Sequence, residues 1–492
     1  MLPSLEQMIV SADAVLVDAL KVITKNAQGI CFVTEDKKLV GVLADGDIRR
    51  KLLAGFSLDT PIRESMKKEY VSLPVNTPNE EIQKRLSNTI HHIPLVDENN
   101  RIVDYSCKYR YRRLPIMEPL LMGNELAYVT DCINSSWISS QGSYVKKFES
   151  MFTDLFGVQE VLATCNGTTA LHLALEAFGI GKEDEVIVPD FTFAASVNSI
   201  IYTGATPVIV DVTPDTWTLD PEAVIDAITP RTKAIMPVHI YGHPCDMDVL
   251  AEIAHKHDLL VITDAAEAIG SMYKGKPVAA YGDAVIFSFF GNKTITTGEG
   301  GVVVFNDPQV ADKARILRDH GMSKEIKYWH DYIGFNYRMT NLQAAIGVAQ
   351  MERFEQIIEQ KRRIAADYIQ HLSQFSQLTM PPEASWATNS YWLFTTLYSE
   401  LEGISRDTLI EMLLKNGIET RPTFFPIHKM PPYTGYCQKK EFPNAEKISK
   451  QGISFPSSTN ITYDQIEGIA RVLSSIFWVR NMANGNKFTK PI

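Results

Sequence analysis

Three segments of the chain carry side chains whose types and order suit covalent chemistry on a phosphorylated ligand. In CNGTTALHLAL, Gly167 and Thr168 open an apolar-periodic helix, and the free N–H groups at a helix N-terminus can bind a phosphate. Asp264 ends the apolar run VITD, at the carboxyl edge where open α/β sheets hold ligands. Lys293 lies in the glycine-rich segment GNKTITTGEGG, which follows another apolar run. Each feature alone has an ordinary alternative as a helix cap or a solvated lysine.

Together these segments supply the groups that pyridoxal phosphate requires. The amine of Lys293 can form an imine with the cofactor's aldehyde, and the Asp264 carboxylate can keep the pyridine nitrogen protonated. The protonated ring then withdraws electrons from the substrate carbon. The displaced lysine can serve as the base for the 1,3-proton shift. We therefore predict a pyridoxal phosphate enzyme that works through lysine, with no metal in its site.

The composition is that of a globular chain with an acidic balance. The 492 residues are 45% hydrophobic and 22% charged, and this length fits about three domains. There are 48 Lys and Arg against 58 Asp and Glu, so the net charge is −10 and we expect no nucleic-acid partner. No run approaches the roughly 18 apolar residues of a membrane span, and the N-terminus lacks the basic start of a signal peptide. The six cysteines are scattered without a CxxC pair, which favours a reducing cytoplasm and argues against a cysteine-built zinc site.

The region after residue 118 alternates between strand-like and helix-like segments. This alternation predicts a largely parallel sheet with helices on both faces. The strand-like runs are 185–188, 207–212, 234–238, 259–263, 284–289 and 301–305. A helical pattern begins near residue 341, and a smaller α/β lobe follows near 391–477. We therefore predict an α/β protein that holds its ligand between a large domain and a small C-terminal lobe.

The first 110 residues contain a weak internal repeat. ICFVTEDKKLVGVL, which starts at Ile30, aligns with IPLVDENNRIVDYS, which starts at Ile93. Each copy reads as two strands joined by an acidic turn, and each follows a helix-like stretch, at 14–25 and at 79–88. Two copies of one α/β unit that share a buried face would form a single module.

From residue 118 to 476 the chain resembles the DegT/StrS family of pyridoxal phosphate-dependent sugar-nucleotide aminotransferases, which have fold type I. The resemblance is carried by CNGTTAL, VPDFTFAAS, VHIYGHPCDM, ITDAAEAIGS, FSFFGNKTITTGEGG and GFNYRMTNLQAAIG. It implies that Lys293 is the Schiff-base lysine and that Asp264 pairs with the pyridine nitrogen. Glu267 stands where the family often has a Gln or His that contacts the cofactor's phenolic oxygen. The lysine separates the chain from the family's dehydratase branch, in which histidine replaces it.

The same resemblance implies the remaining cofactor contacts. Ser288 matches the family's phosphate-binding serine, and Gly167 and Thr168 match the backbone that cradles the phosphate. Phe193 matches the aromatic side chain that stacks on the cofactor ring, with plain core packing as the alternative. Asn336 matches an asparagine that reaches the phosphate of the neighbouring subunit. A homodimer with shared active sites, or a higher oligomer, is therefore expected.

Two further segments are similar to one branch of that family. They are RDHGMSKEIKYWHDYIGFNYRMTN and NGIETRPTFFPIHKMPPY. The branch uses glutamate to aminate C4 of GDP-4-keto-6-deoxy-mannose, which gives GDP-perosamine for surface polysaccharides. The resemblance implies the same reaction for this chain. The alternatives to that reaction are amination of a UDP- or dTDP-linked keto sugar, and a non-catalytic sensor that binds pyridoxal phosphate and a nucleotide. Arg421, His428 and Tyr328 are candidate substrate contacts. Their alternatives are a surface ion pair, a satisfied loop histidine and interface packing, in that order.

GVLADGDIRR, residues 41–50, resembles the end of a CBS motif, so the repeat is identified as a CBS pair, or Bateman module. Such modules hold adenosine ribose and phosphate through a glycine, a hydroxyl residue and an aspartate. Gly41 and Asp47 match this pattern, whereas Ala44 replaces the hydroxyl residue. Asp47 and Arg50 are the candidate contacts for an adenine nucleotide, and a role in assembly alone is the alternative. The predicted domains are a CBS pair at 1–110, a linker at 111–117, a cofactor-binding large domain with its connecting helix at 118–370, and a small lobe and tail at 371–492.

Overall fold

The computed structural model describes residues 3–75, 77, 79–87, 89–107, 114–401, 403–437 and 440–483. It divides into two compact units, residues 1–114 with 415–417, and residues 115–414 with 418–492. The linker residues 111–113, position 88 of the predicted helix 79–88 and the tail residues 484–492 lie outside the described part. Among the helices that are described, none combines the length and the apolar composition that crossing a bilayer would need.

The first unit contains two copies of one three-stranded arrangement, which confirms the predicted repeat. In each copy the first strand runs parallel to the second, and the second runs antiparallel to the third. The elements are β1 Ile9–Ser11, α1 Leu16–Asn26, β2 Ile30–Glu35, β3 Lys38–Ala44, α2 Asp45–Leu53, β4 Leu73–Pro74, α3 Asn79–Arg85, β5 His92–Val96 and β6 Ile102–Cys107.

The two copies share a core because successive residues of β2 point to opposite faces of its sheet. Cys31 and Val33 pack with Leu16 of α1 within the first copy. Phe32 faces the other way and packs against Tyr105 of the second copy, with ring centroids 5.7 Å apart. The predicted shared face is therefore present.

The large domain of the second unit is built on a seven-stranded sheet that confirms the predicted mostly parallel architecture. The strand order is β7-β15-β14-β11-β10-β8-β9, in which only β15 runs antiparallel to its neighbours. Its elements are α4 Glu125–Asn134, α5 Ser143–Phe156, β7 Glu160–Thr164, α6 Gly167–Phe178, β8 Glu185–Pro189, α7 Ala194–Tyr202, β9 Thr206–Val210, α8 Pro221–Ala227, β10 Thr232–Ile235, α9 Met247–His257, β11 Leu260–Asp264, β12 Met272–Tyr273, β13 Lys276–Pro277, β14 Ala284–Ser288, β15 Gly301–Phe305, α10 Pro308–Arg318 and α11 Asn341–Met351.

Helices cover both faces of this sheet, which is why its strands are nearly continuous apolar runs. Along β8, Val186 and Val188 pack in one buried cluster with residues of α6. Ile187 between them packs in a second cluster with Leu250 of α9. The carboxyl ends of the parallel strands are left as the edge from which loops project.

A long helix leads from the large domain to a smaller lobe, as predicted. The lobe contains a four-stranded antiparallel sheet in the order β16-β18-β20-β19. The elements are α12 Phe354–Leu372, β16 Leu378–Thr379, β17 Ala387–Thr388, β18 Phe394–Tyr398, α13 Arg406–Lys415, β19 Arg421–Pro422, α14 Pro443–Gln451, β20 Gly452–Phe455 and α15 Tyr463–Ala483. Strand β17 instead pairs with β12 of the large domain.

Candidate active site

The N-terminus of α6 lies directly against the end of β14. Asn166 caps this helix by accepting a hydrogen bond from the Thr169 N–H at 2.9 Å. A Cβ atom on Gly167 would be 2.9 Å from the Ser288 Cβ and 3.1 Å from its hydroxyl, so only glycine fits there. The structure therefore brings Gly167, the half-buried Thr168 and the Ser288 hydroxyl together at a helix N-terminus, which is a suitable place for a phosphate.

Replacing Gly167 with alanine is expected to weaken cofactor binding. The added methyl group would displace Ser288 or the first turn of α6, both of which are held by regular backbone hydrogen bonds. We expect the dissociation constant for pyridoxal phosphate, measured by equilibrium dialysis, to rise about tenfold, as for the loss of one or two phosphate hydrogen bonds. Gly181→Ala is the matched control, because its Cβ would approach nothing closer than 3.9 Å. Equal affinities in the two variants would contradict this account.

Asp264 ends β11 with its side chain buried at the carboxyl edge of the sheet, as predicted from the run VITD. Its carboxylate accepts hydrogen bonds from the Ser196 hydroxyl at 2.8 Å and the Ala266 N–H at 3.0 Å. Burial raises the pKa of this carboxyl group, and these two donors and the charge of Lys293 oppose the rise. A buried carboxylate supported mainly by neutral donors is well placed to pair with a ligand cation.

Lys293 lies in the loop after β14, and its amine reaches back toward β11. The amine is 3.4 Å from Glu267 Oε1, and the other oxygen of Glu267 accepts the Tyr241 N–H at 2.9 Å. Both side chains are largely shielded from water, with 12% of the Lys293 side chain and 6% of the Glu267 side chain exposed. The structure thus places the predicted lysine, Asp264 and Glu267 in one buried group of charges.

Replacing Glu267 with glutamine is expected to remove a pH-dependent contribution to stability. Burial raises the pKa of Glu267 to about 6, although Lys293 and the Tyr241 N–H act against the rise. A carboxyl group with a raised folded-state pKa stabilises the fold below its unfolded pKa, and this stabilisation is lost as the pH rises through the folded value. The free energy of unfolding of the cofactor-free wild type, relative to Glu267→Gln, should therefore fall by about 2 kcal/mol between roughly pH 4 and pH 7 in urea titrations. A difference that does not change with pH would argue against a buried, proton-binding Glu267.

Aromatic side chains surround this group of charges. Phe193 directly precedes α7, is 60% exposed, and lies 5.7 Å from the ring of Phe424. The rings of Tyr241, Phe424 and Trp392 lie against one another, and the Tyr241 centroid is 5.5 Å from that of Phe424 and 5.8 Å from that of Trp392. The exposure of Phe193 shows that this residue is not part of the protein core, so its ring is available to a ligand.

The candidate substrate contacts have different surroundings. Tyr328 is 77% exposed with a positive φ of 64°. Asn336, the predicted contact to the cofactor phosphate of a neighbouring subunit, is exposed and accepts a hydrogen bond from Arg338 at 3.3 Å. Arg421 is half-exposed and paired with Glu419 at 3.0 Å. His428 contacts Asp190 at 2.6 Å through Nδ1 and Glu446 at 3.1 Å through Nε2. The contacts of Arg421 and His428 therefore correspond to the alternatives of a surface ion pair and a satisfied histidine.

The first unit contains a separate cavity of about 530 Å³. Asp47 lines it, is buried, and pairs with Lys67 at 3.0 Å and Arg50 at 2.5 Å. Arg50 has a 70% exposed side chain and does not line the cavity, so it reaches the space only through Asp47. Tyr70 and His92 also line the cavity and were not singled out in the sequence. The size is within the range of small-molecule sites.

Two residues of the main site were not singled out from the sequence. Ser196, the donor to Asp264, lies in VPDFTFAAS three residues after Phe193, but serine in a helix usually signals nothing more than local hydrogen bonding. The ring centroid of Trp392 lies 3.9 Å from the Lys293 amine. Trp392 belongs to the small lobe, so this contact depends on tertiary structure and no local sequence pattern indicates it. A tryptophan within an apolar stretch such as YWLF, residues 391–394, is usually part of the core.

Residues 119–474 match the model of the DegT/DnrJ/EryC1/StrS aminotransferase family. The chain belongs to this family. Residues 5–54 and 62–105 match the CBS domain. The GDP-perosamine synthase of Caulobacter vibrioides is 46% identical over 365 residues, which are 74% of this chain and 98% of that enzyme. The GDP-perosamine synthase of Escherichia coli O157:H7 is also 46% identical, over 74% of this chain and 98% of its own length.

The structure also resembles solved members of the family. A Streptococcus pneumoniae protein described as a sugar aminotransferase and solved in its PLP form superposes with a TM-score of 0.69 and 27% identity, over 74% of this chain and 98% of that one. The chain is accordingly a pyridoxal phosphate-dependent sugar aminotransferase with an N-terminal CBS pair. The described residues fit that cofactor, because the phosphate cradle at Gly167, the buried carboxylate of Asp264 and the shielded amine of Lys293 all occur in one site.

Proposed function

We propose that this aminotransferase transfers the amino group of glutamate to C4 of GDP-4-keto-6-deoxy-mannose, which yields GDP-perosamine and 2-oxoglutarate. The observation that carries the proposal is the 46% identity to two GDP-perosamine synthases over 98% of their length. A sensor without catalysis is disfavoured because Asp264, which is buried, and Lys293, whose side chain is only 12% exposed, are both retained in one site. The product would serve the synthesis of a surface polysaccharide.

In this proposal Lys293 and Asp264 have separate tasks. Bound pyridoxal phosphate supplies an electron sink for the carbanion formed when a C–H bond of the substrate breaks. The free Lys293 amine takes that proton and then donates it to the second carbon of the 1,3-proton shift. Asp264, held by Ser196, keeps a proton on the pyridine nitrogen through charge pairing. Glu267, whose pKa burial raises to about 6, lies beside the amine and can contact the phenolic oxygen.

The remaining residues bind the cofactor without exchanging protons. The N–H groups at Gly167 and Thr168 and the Ser288 hydroxyl would hold the phosphate at the N-terminus of α6. Phe193 would cover one face of the ring, which its exposure permits. Asn336 would reach the phosphate held by a second subunit.

Mass spectrometry of products tests the sugar assignment. The purified chain is incubated with glutamate and, in parallel, with GDP-, UDP- and dTDP-linked 4-keto-6-deoxy sugars. We expect an amino sugar from the GDP substrate, with a kcat/KM at least about tenfold above the others, which corresponds to one good contact to the base. A faster reaction with the UDP or dTDP sugar would favour the first alternative. Bound cofactor with no amino transfer to any of them would favour the sensor.

We also propose that two chains form a dimer with shared sites. Several large apolar side chains near Asn336 in the sequence are exposed, namely Ile326, Tyr328, Trp329, Tyr332 and Ile333. Exposed apolar groups of this number mark an interaction surface, and a second copy would supply Asn336 to the first. Light scattering should give at least twice the mass of one chain, whereas a monomer that retains activity would exclude the shared site.

For the CBS pair we propose an adenine nucleotide in the cavity lined by Asp47 and Lys67. Titration calorimetry of the full chain with AMP is expected to show binding that weakens about tenfold in Asp47→Asn, through loss of a charged hydrogen bond. Asp45→Asn is the control, because Asp45 pairs with Arg49 on the same helix. No heat from AMP in the wild type would leave assembly as the role of the CBS pair.

We also propose a cytoplasmic location for the protein. All six cysteines are unpaired, which is typical of proteins in a reducing compartment.

A further inference from the structure

The amine of Lys293 lies over the face of an indole ring. The distance from Nζ to the ring centroid of Trp392 is 3.9 Å, well within the range of a cation–π contact. The amine also lies 3.4 Å from Glu267 Oε1. The free amine therefore contacts both a carboxylate and an aromatic face, and both are provided by residues outside its own loop.

Three contacts fix the indole in this position. Its Nε1–H donates to the main-chain oxygen of Asn292, the residue before the lysine, at 2.7 Å. Its ring stacks on Tyr241 at 5.8 Å with an interplanar angle of 12°. Its main-chain oxygen accepts a hydrogen bond from Lys361 of α12 at 2.7 Å. An ordinary core tryptophan needs a partner for its N–H, but here that partner is the lysine loop itself.

Lys361 is the unusual member of this group. Only 1% of the residue is exposed, and its amine donates to the main-chain oxygens of Trp392 and Ser457, at 2.7 and 2.6 Å. Burial lowers the pKa of this amine to about 7. Burying a lysine on two carbonyl groups is costly, so an apolar residue would stabilise this position more simply. These two hydrogen bonds instead join α12 to the backbone just before β18, at Trp392, and just after β20, at Ser457.

The segment before Trp392 is also positioned by a close approach of backbones. A Cβ atom on Gly242 would be 2.6 Å from Asn389 Oδ1 and 2.8 Å from the Tyr391 nitrogen, and Gly242 has a φ of 93°. Gly242 follows Tyr241, which donates its N–H to Glu267. The carboxylate and the indole that contact the amine are thus positioned by one packed group of residues.

We propose that Trp392 is a positioning residue that holds the Lys293 amine whenever this amine is not joined to the cofactor. The inference rests on the proposed function, in which Lys293 is released by the incoming amino donor and then carries a proton. If the released amine moves freely on its flexible side chain, proton transfer becomes slower. A misplacement of about 1 Å can lower the reaction rate about a hundredfold. The indole face and Glu267 together restrict it beside the reacting atoms.

Two substitutions of Trp392 and one control test the proposal. Trp392→Met fills much of the space without a ring face. Trp392→Phe keeps a smaller face but loses the N–H bond to Asn292. The control, Trp386→Leu, removes a tryptophan that packs on Tyr273 in a different core cluster from that of Trp392. The first readout uses cofactor-free protein: reductive methylation of Lys293, followed by peptide mass, should be several-fold faster in Trp392→Met than in wild type. The second uses the cofactor-loaded enzyme with glutamate in single turnover.

In that single turnover we expect the rate to fall about tenfold in Trp392→Met, with a larger isotope effect for glutamate deuterated at Cα, because proton transfer becomes slower. Trp392→Phe should lie between, and Trp386→Leu should match wild type in both readouts. Wild-type labelling and isotope effect in Trp392→Met would overturn the proposal. If that variant loses the cofactor, wild-type values in Trp392→Phe would overturn it.

Failure of this inference is distinguishable from failure of the proposed function. Borohydride treatment of the loaded wild type, followed by peptide mass, reports whether the cofactor is attached to Lys293. An attachment elsewhere would refute the role of Lys293 and this inference with it. Attachment to Lys293 together with unaffected Trp392 variants would refute the inference alone.

Discussion

Lys293→Ala is expected to bind pyridoxal phosphate without a covalent bond and to lose amino transfer by about a thousandfold or more. The substitution removes both the amine that joins the cofactor and the proton carrier, and general acid–base catalysis alone accounts for about 10²- to 10⁴-fold in rate. Single-turnover kinetics with glutamate and the visible absorption of the bound cofactor would measure both effects.

Two outcomes separate this explanation from a structural one. Lys276→Ala is the matched control, because Lys276 is an exposed lysine of the same domain and should retain full activity and the wild-type spectrum. Lys293→Ala should also keep the fold. Among the residues that the structure describes, its amine pairs with one carboxylate, Glu267 at 3.4 Å, and removing the amine allows Glu267 to take up a proton. An unchanged cofactor spectrum or a loss of less than about tenfold would be inconsistent with a covalent role.

Asp264→Asn is expected to reduce amino transfer by about 10²- to 10³-fold while the protein still binds the cofactor. An amide has nearly the same shape but no charge, so it cannot stabilise a proton on the pyridine nitrogen, and a charge contact of this kind in a buried site accounts for about 3–4 kcal/mol. The rate of the glutamate half-reaction measures the loss, and equilibrium dialysis measures retained binding.

Ser196→Ala serves as the graded comparison for Asp264. Its hydroxyl donates to the buried carboxylate at 2.8 Å, so its removal takes away one support and leaves the charge. We expect a loss of about tenfold or less, in line with a single hydrogen bond to a charged group. Asp264→Asn with near wild-type activity, or Ser196→Ala with the larger loss, would remove the proposed role of Asp264.

The pattern of apolar and helical segments was sufficient to predict the architecture. Asp264 and Lys293 could be singled out because Asp264 ends one buried apolar strand and Lys293 lies in the loop after another, and these parallel neighbours bring their carboxyl ends to one edge. The six predicted strands of the large sheet are present, whereas β7, Glu160–Thr164, was not predicted. That strand, EVLAT, has only two large apolar residues, whereas β8, EVIVP, has three, so its pattern is weaker.

Tertiary contacts could not be predicted in the same way. Ser196 and Asp264 are separated by 68 residues, and Trp392 and Lys293 come from different lobes, so no local pattern relates them. Residue type suggested Arg421 as a contact for a diphosphate or carboxylate and His428 as a contact for the sugar. Which side chains of the protein these two residues meet depends on the fold, where Arg421 pairs with Glu419 and His428 contacts Asp190.

Transfer of labelled nitrogen would follow the proposed reaction itself. The purified full chain, loaded with pyridoxal phosphate, is incubated with ¹⁵N-glutamate and GDP-4-keto-6-deoxy-mannose, and the product is analysed by mass and by NMR. We expect one ¹⁵N atom on C4 of the GDP-linked sugar and an equal amount of 2-oxoglutarate. Nitrogen on C3, or no transfer from a chain whose Lys293 carries the cofactor, would contradict the proposed reaction.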